Sequence, residues 1–405
     1  MRAGSVAKPR VLLITEQVDP GGKRSHVEAL SAGLGAIGWR VTLFDWRDLS
    51  LPERAVVAAP NRLLDLVQPA LGHRWLVPML GHFFEMRLRA LGRAAEIAIW
   101  HVQEPFTLPA ARRASGGRPV ALTVHGPVHR EIAGGYGLPL EHPTIRWIRE
   151  LERRAYLDAD AVISVDRAHA DYVRGFGRTE RIWIVPNFVD TRRFHPGVTP
   201  ESFPEAAERF ISGRPVVLCP RRLVPKTGVD VAIRAVRLMA ERRAACVLVV
   251  AGDGPQRREL ETLVREIGAG ENVLFLGVAP PARMPGWYRR ADAIVVPSIR
   301  FKGVEEATSI AVLEAQASAR PVVASALGGL LEIVEDGVSG LLAPPGDVEA
   351  LARALEQVIE DRAFGARLGA VAAARVADVH SHVAGARSYA AVYHALGAGV
   401  RGLVD

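Results

Sequence analysis

Lysine is scarce in this 405-residue chain: it stands only at positions 8, 23, 226 and 302, so arginine supplies almost all of the 51 basic residues. Cysteine is scarcer, with Cys219 and Cys246 alone, both inside apolar runs. Two cysteines so placed give no disulfide framework and no metal spacing, and they suit a cytoplasmic protein. No apolar run reaches the ~18 residues that a membrane-spanning helix needs. Met1 to Arg10 lead straight into Val11-Leu-Leu-Ile-Thr15. That run is too short for the core of a signal peptide and reads as a first strand. Aromatic residues make up 6% of the chain, and none interleaves with a basic patch, which argues against nucleic acid as a partner.

The formal net charge of +7 is uneven: residues 1–200 hold 27 Lys and Arg against 20 Asp and Glu, while residues 201–405 hold 24 of each. A basic first half points to an anionic partner: a phospholipid surface, an anionic acceptor or a nucleotide-linked ligand. A solvated arginine surface with no partner explains the count equally well. Within that half, Phe83-Phe-Glu-Met-Arg-Leu-Arg-Ala-Leu-Gly-Arg93 mixes apolar residues with Arg87, Arg89 and Arg93. It fits a helix lying on an anionic membrane or, more simply, a helix packed on its own sheet.

A single core rarely grows past ~250–300 residues, so this length predicts two domains. Apolar runs of strand length alternate with helical patterns: Val11–Thr15, Val41–Phe44, Ile97–Trp100, Val120–Val124, Ala161–Val165 and Ile182–Val185, then Val216–Cys219, Cys246–Val250, Val273–Phe275, Ala293–Val296, Pro321–Ala324 and Gly340–Leu342. Such alternation predicts two doubly wound parallel sheets. The proline-rich stretch Pro186–Pro215 breaks the rhythm and marks the connection, which gives domains 1–195 and 196–378 followed by a segment 379–405 that reads as a helix. Ligands of such sheets sit at the carboxyl ends of the strands, so two facing sheets imply one deep cleft.

Several loops follow expected strands. Glu306 and Glu314 lie eight residues apart around a small-residue run. If a helix begins at or before Glu306, both carboxylates share one face. If it begins near Thr308, Glu306 lies on the entry loop beside exposed backbone N–H groups, a favourable place for a phosphate. The block suits a ligand with a diphosphate in its middle and hydroxyls at both ends. Asp19-Pro20-Gly21-Gly22-Lys23 precedes a helix expected to begin near Ser25. Its paired glycines let N–H groups approach an anion, although such a turn is more often only a turn. His125, between Val124 and Gly126, can present its imidazole to a hydroxyl or a phosphate, or can be a satisfied surface histidine. Arg221-Arg222-Leu223-Val224-Pro225-Lys226-Thr227-Gly228 places three cations within six residues before a helix, a diphosphate clamp in type. Gly252-Asp253-Gly254-Pro255 matches only part of a dinucleotide fingerprint and reads by default as a tight turn. Asp158-Ala-Asp160 mimics a metal-binding pair but precedes a strand, as Asp292 does later, so it is read as a helix end.

In order and spacing, these residues resemble the retaining GT-B glycosyltransferases of family 4 (glycosyl transferases group 1). The resemblance runs through Pro20-Gly-Gly22, Val124-His-Gly126, Val185-Pro-Asn-Phe-Val-Asp190, Arg222–Gly228, Gly252–Pro255, Ala291-Asp292, Val296-Pro-Ser298, Glu306 to Glu314 and Asp336–Asp347. It implies a second domain that holds a nucleotide-diphosphate sugar, a first domain that holds a glycan, lipid-linked or small-molecule acceptor, and a final helix that returns to the first domain. Arg222 and Lys226 would hold the diphosphate, Glu314 the ribose hydroxyls and Glu306 the sugar hydroxyls. Gly21, Gly22 and His125 would approach the phosphate and sugar, and Gly252, Thr308, Ser309 and Ile310 would complete the donor site. His125, Arg222, Lys226 and Glu306 are then the catalytic set. Cations and a helix N-terminus stabilise a leaving diphosphate without cofactor or metal. Same-face attack would retain configuration, with a donor phosphate oxygen taking the acceptor proton. Three departures stand out: Thr227 and Lys226 where Lys-Gly often closes the arginine loop, Ala319 where a glycine is common, and a loop 299–308 without the usual Gly-Phe-Gly. Another GT-B enzyme (epimerase, phosphorylase or hydrolase) and a non-catalytic sugar-nucleotide scaffold are the alternative readings.

Overall fold

The computed structural model describes residues 8–16, 21–200, 203–242, 244 and 246–397 of the chain. Six strands form the first sheet: β1 (Arg10–Ile14), β2 (Arg40–Phe44), β3 (Ile99–Val102), β4 (Val120–Val124), β5 (Ala161–Ser164) and β6 (Ile182–Ile184). Six more form the second: β7 (Val216–Cys219), β8 (Val247–Ala251), β9 (Val273–Gly277), β10 (Ala293–Val296), β11 (Val322–Ser325) and β12 (Leu341–Ala343). The orders are β2-β1-β3-β4-β5-β6 and β12-β11-β10-β7-β8-β9, every pairing parallel. The central strands are apolar and buried on both faces because helices cover each side. The run expected as a strand at Ile97–Trp100 enters the ladder two residues later, since buried Ile97 only leads into it.

The chain divides into two compact units. Of the described residues, one gathers Val27–Pro186 with 8–16 and 383–397; the other gathers Asn187–His382 with the opening of the helix Gly22–Ala36, as far as His26. Asn187 falls in the second unit because its N–H and side-chain amide bond to Thr308 at 3.2 and 2.6 Å. The helix begins at Gly22 rather than near Ser25, so the second glycine of the loop is its first residue; Asp19 and Pro20 lie outside the described residues.

In the first unit, the helix His73–Ala94 buries Val77, Leu80, Phe84 and Leu88. These recur at helical spacing; Leu80, Phe84 and Leu88 pack beneath the sheet with Trp100 and Val102, while Val77 packs against Phe106, Ile145 and Ile148. Two of its arginines are paired: Arg87 with Glu53 at 2.8 Å and Arg89 with Glu85 at 2.6 Å, and Glu85 also takes Arg113. The helix therefore packs on its own sheet, and part of the arginine excess holds the first unit together. The expected end of a helix at Asp158-Ala-Asp160 has a use that Asp292 repeats in the second sheet. Asp160 accepts the N–H of Val120, and Asp292 that of Val216, both at 2.8 Å or less. Each carboxylate thus ties the start of a neighbouring strand. The final helix, His382–Ala395, buries Tyr389 and Tyr393, whose hydroxyls bond to Thr123 and His101.

Fully buried Glu152 is the polar centre of the first unit. It accepts the N–H groups of Val128 and His129 at 2.9 and 3.0 Å, the His129 imidazole at 2.6 Å, and the hydroxyls of Tyr156 and Tyr172 at 2.9 and 3.2 Å. Removing one acceptor orphans several buried donors, so Glu152→Ala is expected to cost about 3–5 kcal/mol. A urea titration should show the first unit melting early while the second keeps its midpoint.

No described helix is long and apolar enough to cross a membrane. In the second sheet, the chain reverses direction of winding between β7 and β10, and in such sheets the crevice at the carboxyl ends of the two switch strands is where ligands bind.

Candidate active site

Both loops at that switch point carry side chains that meet. Arg221 follows β7, and Ser298 follows β10. The Arg221 guanidinium donates through Nη2 to Ser298 Oγ at 3.1 Å and to Glu306 Oε2 at 2.6 Å, and through Nη1 to Glu306 Oε1 at 3.1 Å and Ser309 Oγ at 3.3 Å. Ser298 Oγ donates to the same Glu306 oxygen at 3.1 Å. Arg221 is only 8% exposed. Burial works against the charge of Glu306, but Arg221, with Lys226 and Ser298, outweighs it and holds the carboxyl below the usual carboxylate range. A bidentate guanidinium fixes the plane of the carboxylate as well as its charge.

The loops under this pair are locked by backbone contacts. A Cβ on Gly252 would stand 2.0 Å from the Arg221 carbonyl oxygen, so the missing side chain there serves the packing of the Arg221 loop. The Gly252–Pro255 turn also bonds to it, with Leu223 N–H donating to the Asp253 carbonyl at 3.0 Å. On the other side, Gly329 donates its N–H to the Glu306 carbonyl at 2.9 Å, and a Cβ on Gly329 would strike Thr308 N at 2.4 Å.

The helix Ile310–Ala317 begins after Glu306, which places Glu306 on the entry loop and Glu314 inside the helix. Thr308 is spent on Asn187, whose Oδ1 in turn accepts from His26 Nδ1 at 2.9 Å. Burial pushes the His26 imidazole down to about 4, against the Asn187 bond, so it is neutral near pH 7. Ser309 is bonded to Arg221, and no side chain caps the helix. What Thr308, Ser309 and Ile310 offer an anion is therefore the run of backbone N–H groups that opens a helix. Gly22, the first residue of its own helix, lies beside Ile310: a Cβ there would stand 3.8 Å from Ile310 Cδ1. Two helix N-termini thus meet, and their partial positive charges favour an anion between them.

Glu314 is the second buried carboxylate. It accepts the Tyr288 hydroxyl at 2.8 Å. Burial pushes its carboxyl up to about 7, against the Tyr288 bond, the charge of Arg193 and a hydrogen bond from Ser25. The two glutamates therefore differ: Glu306 is held ionised, while Glu314 titrates near neutrality.

The arginine loop is arranged differently from the clamp expected of it. Arg222 is exposed, and its guanidinium has no partner among the described residues. Lys226 is half-buried and acts on Glu306 through its charge. Thr227 is buried, with its hydroxyl donating back to the carbonyls of Arg222 and Val224 at 2.8 and 2.7 Å. Ala319 takes φ +53°, the left-handed conformation that explains why glycine suits that turn. His125 belongs to the first unit, at the end of β4, where its Nε2–H donates to Gln103 Oε1 at 3.0 Å. Gly21 has φ +147° and open space around it. Among the described residues no group of three or more His, Cys, Asp or Glu could hold a metal ion.

Sequence reasoning met Ser298 and Asn187 only inside motifs and gave them no role, and it did not single out Tyr288, His26 or the pairing of Arg221 with Glu306. Arg221 and Glu306 are 85 residues apart, and only the order of strands brings them together. Tyr288 sits in a short apolar-looking helix, Met284–Arg290, and reads as core.

The fold is that of the GT-B glycosyltransferases. Sucrose-phosphate synthase from Thermosynechococcus elongatus superposes with a TM-score of 0.75 at 23% identity, covering 96% of this chain and all of that one. Anabaena HepE, solved in complex with UDP-glucose, gives 0.68 at 19% identity over 95% of this chain and 99% of its own. The chain belongs to the glycosyltransferases of family 4 and group 1: the Glycosyltransferase Family 4 model matches residues 20–193, and the Glycosyl transferases group 1 model residues 203–375. Curated relatives include the GDP-mannose-dependent alpha-(1-6)-phosphatidylinositol monomannoside mannosyltransferases of Mycolicibacterium smegmatis and Mycobacterium tuberculosis. The first is 33% identical over 64% of this chain and 66% of its own length, the second 29% identical over 89% and 92%. The protein is a glycosyltransferase.

Proposed function

We propose that this glycosyltransferase moves a sugar from a nucleoside-diphosphate sugar to an acceptor hydroxyl with retention of configuration and without a metal ion. The observation that carries the reading is the second unit's switch point. A cation-locked carboxylate, a neutral-range carboxylate and two uncapped or glycine-opened helix N-termini gather there. In the reaction, the bond from the anomeric carbon to the diphosphate oxygen breaks as the acceptor oxygen bonds to the same face. The acceptor proton goes to the departing phosphate oxygen. Charge grows on the diphosphate, where helix N-termini, Lys226 and Arg222 stabilise it. Glu314 receives ribose hydroxyls, Glu306 those of the sugar, and Gly21 and Gly22 let the backbone close on the phosphate. His125 of the first unit serves the sugar or phosphate by hydrogen bonding.

The mannosyltransferase relatives use GDP-mannose and HepE was solved with UDP-glucose, which makes both nucleotides the first to try. The acceptor is assigned to the first unit, where the basic charge suits an anionic or lipid-linked molecule at a membrane surface. Buried, unpaired Cys219 and Cys246 agree with a cytoplasmic setting. Calorimetry with UDP and GDP in EDTA is expected to show micromolar binding of at least one nucleotide. No binding of either would sink the reading. Binding without transfer to any acceptor would favour a sugar-nucleotide scaffold, the reading that the inward-turned Thr227 hydroxyl supports.

A further inference from the structure

The switch point of the second sheet holds one guanidinium that no assigned role uses. Arg221, not Arg222, is buried; Arg221, not Lys226, is bonded to Glu306. Its two terminal nitrogens are shared among Glu306, Ser298 and Ser309, and its Nε–H is buried without an acceptor. A guanidinium so enclosed is costly unless it is needed, and a surface ion pair would have kept both loops closed at less cost.

We propose that Arg221 is the positioning residue of the sugar subsite, holding the Glu306 carboxylate in one orientation and in its charged form so that it accepts sugar hydroxyls. The inference rests on the donor reading above. Three observations join in it. Both Glu306 oxygens are engaged on their Arg221 side, which leaves the carboxylate able to accept further donors but unable to rotate. Ser298 repeats the restraint from β10, so the carboxylate is fixed to both switch strands at once. Gly252 gives up its side chain to let the Arg221 backbone sit where it does. The charged or titratable groups that act on the pair are Lys226 on Glu306, and Tyr288 and Cys219 on Arg221. Among the described residues, Lys226 is a further cation that acts on Glu306, through its charge. Without Arg221, only Lys226 and Ser298 oppose burial, so the Glu306 carboxyl rises and takes up a proton more readily as the pH falls.

The test compares the affinity for GDP-mannose or UDP-glucose with that for the bare diphosphate, by calorimetry on the full chain. Taking this ratio cancels the titration of Glu314, which would act on both ligands alike. In the wild type the ratio should stay constant between pH 6 and 8. In Arg221→Gln it should fall about tenfold at pH 8 and about 100-fold at pH 6, while UDP or GDP affinity at pH 8 stays within about threefold. Arg221→Lys should recover most of the loss at pH 8. Glu306→Gln should lower the ratio without pH dependence, and Arg221→Gln/Glu306→Gln should be no worse than the worse single variant. If Arg221→Gln does not fold, Arg221→Lys replaces it: it keeps the positive charge without the bidentate bond, its ratio should fall about threefold at pH 8, and an unchanged ratio there overturns the proposal as well. A ratio unchanged in Arg221→Gln, or an equal loss of bare-nucleotide affinity, overturns the proposal. A wild type that binds neither nucleotide overturns the donor reading beneath it instead.

Discussion

Glu314→Gln should bind UDP or GDP about 30-fold more weakly than the wild type at pH 8, the cost of losing hydrogen bonds to a charged acceptor, and should bind with an affinity that no longer varies with pH. In the wild type, ribose hydroxyls donate to the ionised carboxylate, whose titration lies near pH 7 because the group is buried. Affinity should therefore rise about tenfold from pH 6 to pH 8 and level off above that. The same carboxylate should show the opposite sign in stability. Folded, it holds its proton up to about 7; unfolded, it releases it near 4.5. The folded chain binds more protons across that window, so its stability falls as pH rises from 4.5 to 7, by about 3 kcal/mol in all. Glu314→Gln removes that loss, and above pH 7 it should melt at a higher temperature than the wild type while binding worse. A variant that binds normally, or a wild-type affinity flat between pH 6 and 8, would remove Glu314 from the nucleotide site.

Much of the fold was legible because it depends on local pattern. The twelve apolar runs could be read singly as strands, since a buried parallel strand is a short β-branched stretch whatever its neighbours are. Their ends were less legible: Ile97 is as apolar as Ile99, and only the ladder decides which one begins β3. The loops of the site were legible by position, each following a strand. Their internal geometry was not. Arg221 and Arg222 are adjacent and chemically identical, and only the direction of each side chain at the end of β7 separates the buried one from the exposed one. The role of Asn187 was hidden for a different reason. Its partners His26 and Thr308 are 161 and 121 residues away, so the sequence shows the motif around Asn187 but not what its side chain holds.

The glycines of the site separate into two kinds that one experiment can tell apart. Gly252→Val places a branched side chain where even a Cβ would stand 2.0 Å from the Arg221 carbonyl oxygen. That oxygen belongs to a backbone held by Leu223, Asp253 and the adjoining strands β7 and β8, so it has nowhere to move. The second unit should lose about 3 kcal/mol, or about 10 °C of its melting temperature, and nucleotide-sugar binding should fall with it because Arg221 and Glu306 shift together. Gly22→Ala is the contrast. Its Cβ would meet only Ile310 Cδ1 at 3.8 Å, an ordinary contact, and it opens a helix where alanine is tolerated. It should leave the melting temperature within about 2 °C of the wild type yet weaken UDP or GDP binding about tenfold, because its methyl group stands where the backbone is to approach the phosphate. If Gly22→Ala binds normally, that glycine is only a turn residue. If Gly252→Val keeps its melting temperature, the Arg221 loop is not held in the way that makes its guanidinium a fixed support for Glu306.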